Sequence, residues 1–364
     1  MSDARTSEQE RIKSYIGKIA TGPNQSKDLT EEEAEDALGL ILNNRTSPVQ
    51  SAILLIAARM KRETLEENIG YWRALDRTTQ RQLVKVDRLL QVADPFDGFD
   101  RVPYFGFYAL PVIAAMGLPT YGHSALTLPP KFGITFQDIL HQHYKVPFDF
   151  PVKKLVRFLE ENGFAIIGLQ QSHRQLDALR GLRIEMVKRS VLSTFEKMLM
   201  PLQSAQGANY LATSYFHRGY EVPMGAVARL SEFDVTAIGN GMEGTTLYGV
   251  HKPATVFVVA GNGEPKELQV SLEQSFAEET GQKIREAYEE LKQETSRLET
   301  LTAWGETALK GGTGPASILI ACQAATFATL FGLFLDPQAA FKKAEEILRQ
   351  GTCYERFMRF VELR

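Results

Sequence analysis

Between Asp28 and Ala74 the sequence starts a helix three times, and this punctuation constrains the fold more than any other feature. Thr30 stands three residues ahead of Glu33, so each side chain can bond the other's backbone N–H. Ala34, Ala37, Leu38, Ile41 and Leu42 then recur at helical spacing. Asn43 to Thr46 breaks that pattern; Ser47 caps the next helix and Pro48 takes its first position, where the missing N–H is harmless. Thr64, with Glu67 in box position, opens a third. Residues 10–76 therefore read as short helices joined by tight capped turns.

After residue 86 the pattern changes. Short apolar runs (Leu89, Leu90 and Val92; 165–169; 237–238; the valine-rich 254–260) alternate with helical stretches, as in an α/β sheet rather than a sandwich. Residues 267–308 are charged and helix-prone. Gly311 to Gly314 breaks the chain before an apolar run, Ala316 to Leu335, and a last helix is expected over Gln338–Arg349. The fold expected is α/β: a small helical N-terminal domain, residues 1–86, and a larger domain, 87–364, with a central mixed or parallel sheet flanked by helices.

One loop carries the functional question. Leu89 to Val92 feeds Asp94–Arg101, and Tyr104 to Met116 follows as a helix, an order that offers backbone N–H groups to an anion. Yet the loop holds one glycine, Gly98, a proline without an N–H, and three carboxylates that repel phosphate.

The net charge of -3 excludes a uniformly basic nucleic-acid binder and leaves room for a local basic face. Arg174, Arg180, Arg183, Lys188, Arg189 and Lys197 crowd one stretch, diluted by Asp177, Glu185 and Glu196. They read either as a phosphate-contact strip or as a solvated helix face with its own ion pairs. Arg218 is a loop candidate for a phosphate contact. Cys322 and Cys353 suggest neither a disulfide framework nor zinc, and His141 and His143 do not share a helix face, so no metal ligands are expected. Met1–Arg11 has no apolar leader core, and the 316–335 run carries Gln323, two threonines and a glycine, so it reads as a core helix. The expectation is a cytoplasmic protein with no membrane partner.

The runs Leu29–Ala34, Ser47–Ala52 and Arg59–Glu67 resemble the N-terminal helical domain of the anthranilate phosphoribosyltransferase family, and the order of later landmarks is similar from about residue 15 to the end. The resemblance implies the two-domain fold above, a homodimer formed through the N-terminal helices, and a phosphorylated sugar ligand. In the family, phosphoribosyl pyrophosphate sits at a Gly-Thr-Gly-Gly-Asp loop, with magnesium on an Asp-Glu pair.

Carried over position by position, the cleft comprises Asp94, Gly98 and Asp100 of the loop, Gly122 and His123 where a Gly-containing segment falls, Lys131, Arg189 and Glu243. Thr246 and Leu247 stand where the Asp-Glu pair is expected. No catalytic residue is assigned, and magnesium is expected only if transferase activity is retained.

The pattern also resembles a divergent paralogue group that shares the transferase fold, has lost the phosphoribosyl pyrophosphate motif and binds nucleic acid. Two functions follow from the resemblance. One is a phosphoribosyl- or pentosyltransferase-like protein whose altered site argues against anthranilate phosphoribosyl transfer. The other is a non-catalytic polyanion binder using the basic face around 173–197.

Overall fold

The computed structural model describes residues 2–22, 24–292 and 298–363. The chain opens with α1 (Ser2–Ile19), α2 (Glu31–Leu42), α3 (Pro48–Lys61) and α4 (Leu65–Thr78). The caps at Thr30, Ser47 and Thr64 are all formed, and Ser47 exchanges bonds with Gln50 as well. Glu67 does more than cap. Its buried carboxylate accepts the Leu29 N–H at 2.9 Å, the Thr64 N–H at 2.7 Å and the Lys61 ammonium at 2.8 Å. It thereby ties the entry of α2 to the junction of α3 and α4. Where α2 and α4 cross, Gly70 is required, because a Cβ there would lie 2.2 Å from the Glu31 carbonyl oxygen.

Among the described residues nine strands follow: β1 (Gln82–Val84), β2 (Arg88–Ala93), β3 (Thr120–Ser124), β4 (Phe164–Gly168), β5 (Leu202–Ser204), β6 (Ala208–Tyr215), β7 (Val235–Asn240), β8 (Ala254–Ala260) and β9 (Lys266–Val270). Seven form one sheet in the order β4-β3-β2-β6-β7-β8-β9, parallel from β4 to β7 and antiparallel beyond. β1 and β5 make a separate parallel pair. The chain runs outward from β2 to β3 and β4, then returns to place β6 on the other side of β2. β2 and β6 therefore flank a topological switch point, and their carboxyl ends open the crevice where such sheets bind ligands.

Two packing features shape that crevice. On one side α5 (Gly106–Ala115) and the buried helix Pro315–Leu330 form the core, and Gln323 of that helix donates to the Thr246 carbonyl at 2.8 Å. On the other, Leu176, Val191, Leu192 and Phe195 share a core with Leu38, Leu54 and Leu75 of the helical unit. The segment 169–200 is thus the joint between the two bodies, built of short helical turns.

Three expectations are corrected. The stretch 267–308 begins as β9, whose consecutive exposed residues, Lys266 to Gln269, make a charged sheet edge; its helices follow over Glu278–Lys292 and Leu298–Leu309, and 293–297 lie outside the described residues. The apolar helix ends at Leu330, and Leu335 is 99% exposed. A further helix, Thr352–Val361, follows Pro337–Arg349. Among the described residues no helix is long and apolar enough to cross a membrane.

Candidate functional site

Asp94 leaves the end of β2 with its carboxylate already committed. It accepts the Tyr104 hydroxyl at 2.6 Å and the Thr246 N–H at 2.7 Å, and Tyr104 and Thr246 lie within 2.8 Å of each other. Burial is the main influence on its pKa and raises it to about 6, against the pull of those donors. Gly98 is a structural requirement. Its φ is +74°, and a Cβ would lie 2.4 to 2.6 Å from the Gly133 and Ile134 backbone. There Phe99 and Ile134 exchange backbone bonds of 3.0 and 2.7 Å that pin the loop down.

The loop amides that could face an anion are taken by the chain itself. The Glu243 carboxylate accepts the Asp100 N–H at 3.1 Å and the Arg101 N–H at 2.8 Å. Lys131 stands 3.4 Å from the same carboxylate and also donates to the Gly98 carbonyl. Glu243 adopts φ +53°, a left-handed conformation uncommon for a residue with a side chain. Asp97 in turn holds Arg189, whose Nε donates at 3.1 Å.

Beside this loop, at the mouth of the switch point, lies a cavity of about 360 Å³. Its cations come from distant segments: Arg59 of α3, Arg101, Lys131, Arg183, Arg189 and Lys197. Phe216, His217 and Tyr220 of the loop after β6 form another wall. Arg59 donates to the Tyr220 hydroxyl at 2.7 Å, joining the helical unit to the sheet. A second cavity, of about 540 Å³, shares Arg59, Thr194 and Tyr220 and continues past Arg62 and Arg218.

Lys131, Arg189 and Glu243 converge at the cavity. Asp100 is exposed on the loop. Gly122 and His123 do not reach the cavity. Gly122 is inside β3, where a Cβ would meet Phe136 at 2.9 Å. His123 is 1% exposed behind the edge of Phe96, with Nε2 2.9 Å from the Ser172 hydroxyl. Burial lowers its pKa to about 3, so it is a neutral core histidine and no general acid at pH 7.

The basic stretch is likewise not one face. Arg183 is 5% exposed and grips Glu196 through both terminal nitrogens, at 2.5 and 2.9 Å. Lys197, equally buried, donates to the Ser214 carbonyl at 2.5 Å, and burial lowers its pKa to about 8 despite Asp97, Glu196 and Asp94 nearby. Arg180 donates to the Leu126 carbonyl at 2.7 Å, while Arg174 and Lys188 are exposed. Arg59, Phe216 and Tyr220 join the cavity without having been candidates; α3 and the loop after β6 are remote from the motif loop in sequence.

Magnesium does not fit this donor set. Thr246 is bonded to Tyr104, Leu247 is a buried hydrocarbon, and Glu243 is saturated by amides and Lys131. Among the described residues there is no group of three or more His, Cys, Asp or Glu placed to hold a metal. An ion that demands an octahedron of oxygens meets two carboxylates at the cavity, Glu243 and Asp97, both already paired.

Residues 13–79 match the helical bundle domain of a glycosyl transferase family, and residues 107–354 match that family's a/b domain. An uncharacterized protein of Aquifex aeolicus (strain VF5) is 29% identical over 218 residues, 60% of this chain and 64% of its own length. The anthranilate phosphoribosyltransferase of Rhodopseudomonas palustris (strain BisB18) is 24% identical over 249 residues, 68% of this chain and 70% of that one. In three dimensions the chain is similar to anthranilate phosphoribosyltransferase from Thermus thermophilus, with a TM-score of 0.73 and 21% identity over 97% and 98% of the two chains. The Saccharomyces cerevisiae enzyme in complex with PRPP and Mg gives a TM-score of 0.76 at 17% identity, covering 97% of each chain. With both of its domains matched, the second over more than half of its length, the chain belongs to this glycosyl transferase family, with the anthranilate phosphoribosyltransferase-type fold.

Proposed function

We propose that this family member binds a phosphate-rich polyanion, nucleic acid being the class intended, without metal and without anthranilate phosphoribosyl transfer. The observation that carries the reading is the Glu243 carboxylate on the Asp100 and Arg101 amides. On the family resemblance a pyrophosphate would need those donors, and the cations of the open cavity alongside support a polyanion instead. Relative to the basic strip over 173–197, the binding surface moves into the cleft: Arg59, Arg101, Lys131 and Arg189 replace the buried Arg183 and Lys197 as the phosphate contacts. In this reading the divergent, nucleic-acid-binding paralogues are the nearer comparison. The domain division at residue 86 is part of the same proposal.

A phosphorylated sugar is the second ligand class, favoured by the likeness to the yeast protein solved with PRPP and Mg. Calorimetric titration separates the two. Metal-dependent micromolar binding of phosphoribosyl pyrophosphate restores the transferase reading, and its absence alongside salt-sensitive DNA binding supports the polyanion reading.

We also propose a homodimer through the helical unit. Val49, Ile53 and Met60 lie near one face of α3 and are 67%, 43% and 78% exposed, an apolar stripe suited to a second copy.

A further inference from the structure

Phe216 is the first residue after β6, at the carboxyl edge of the switch point, and its side chain is 56% exposed. Its backbone is held in place. The Asn240 amide donates to its carbonyl at 3.3 Å, and its Cβ lies 3.5 Å from where a Cβ on Gly244 would stand. The His217 ring meets it edge-to-face at 5.0 Å. A scattered surface phenylalanine needs no explanation, but this one projects at a cavity whose other walls carry cations. Gly244 follows Glu243, so the ring adjoins the point where Lys131 and Arg101 share a carboxylate. Arg218, two residues on, lines the second cavity. The cavity thus sets an exposed aromatic ring, Phe216, among basic side chains.

Resting on the polyanion reading, we propose that Phe216 stacks an unpaired nucleobase, making the cleft selective for single-stranded nucleic acid over duplex. Phosphates are recognised by charge alike in both forms, whereas only an unpaired base offers its face to a ring. A cavity of about 360 Å³ suits one nucleotide, and the shared wall at Arg59 and Tyr220 gives the strand an exit toward Arg62 and Arg218.

The test is fluorescence anisotropy with a short labelled oligothymidylate, an abasic strand of equal length and a duplex, for the wild type, Phe216→Ala and Phe216→Trp. The wild type should favour oligothymidylate. Phe216→Ala should weaken that binding roughly tenfold to a hundredfold and leave duplex binding within about twofold. Phe216→Trp should keep the affinity and show quenched fluorescence on binding. Equal effects on strand and duplex, no effect, or abasic binding as tight as oligothymidylate would overturn the inference alone. No binding of any nucleic acid by the wild type would instead overturn the polyanion reading beneath it.

Discussion

The Glu243 carboxylate accepts the Arg101 backbone N–H at 2.8 Å across 142 residues of chain. The contact closes the motif loop over the turn after β7 and holds Glu243 in a left-handed conformation that costs on the order of 1 kcal/mol. Its own anion thus fills the loop. In Glu243→Ala the two amides and Lys131 lose this partner. Inorganic pyrophosphate, titrated calorimetrically without metal, should bind about tenfold more tightly than to the wild type. Thermal unfolding should show a loss of roughly 1–2 kcal/mol. Unchanged pyrophosphate affinity would mean that the loop does not present its donors even when emptied.

Arg183 and Glu196 form a buried pair, so the basic residues of this stretch should respond unequally to substitution. Arg183→Ala leaves a carboxylate buried without its partner and should lower stability by about 3–5 kcal/mol. Arg174→Ala and Lys188→Ala, both at exposed positions, should stay within about 0.5 kcal/mol. Denaturant titration of the three variants checks this ordering.

Acid should destabilise the fold through its histidines. Burial lowers His123 to about 3 and His173 to about 4, so the unfolded chain binds more protons below the ordinary value of 6.5. That contribution is full above 6.5 and is lost as pH falls toward the folded values. Asp94, raised to about 6, acts oppositely: its folded form keeps the proton between 3.8 and 6, which favours the fold there as pH falls. The two histidines by themselves withdraw on the order of 3 kcal/mol between pH 6.5 and pH 5, a loss that Asp94 and the other carboxyls raised by burial, Glu63, Asp76, Asp138, Asp177 and Glu196, partly offset. His173→Gln should flatten that slope, as measured by urea unfolding at each pH.

If α3 carries the dimer contact, Ile53→Asp with Met60→Asp should convert a dimer to a monomer in sedimentation equilibrium, leaving the far-ultraviolet spectrum intact. A wild-type monomer at micromolar concentration would contradict the proposed assembly.

The helix caps and the strands β2, β4, β7 and β8 were legible because their signals are local, a hydroxyl three residues from a carboxylate or a short apolar run between turns, whereas β3 and β6 mix polar residues into the sheet and gave no such run. β9 escaped because an edge strand exposed to solvent carries charges that read as helix. The cleft escaped for a different reason. Arg59, Lys131, Arg189 and Phe216 meet only because the strand order reverses beside β2, which spacing along the chain does not encode. A count of basic residues could not separate Arg183 and Lys197, which reach the cavity wall buried and already bonded to Glu196 and the Ser214 carbonyl, from the more exposed cations beside them. His123 misled because both faces of β3 are buried, so its neighbours in sequence gave no hint of which side faced a ligand.

The central claim is a polyanion cleft that works without metal, and a salt titration of single-stranded DNA binding in the presence of a chelator tests it most directly. Three or four phosphate contacts from Arg59, Arg101, Lys131 and Arg189 predict a log–log slope of roughly -2 to -3, smaller in magnitude by about 1.4 in Lys131→Ala with Arg59→Ala. A flat salt response, or binding that appears only for phosphoribosyl pyrophosphate with magnesium, would contradict it.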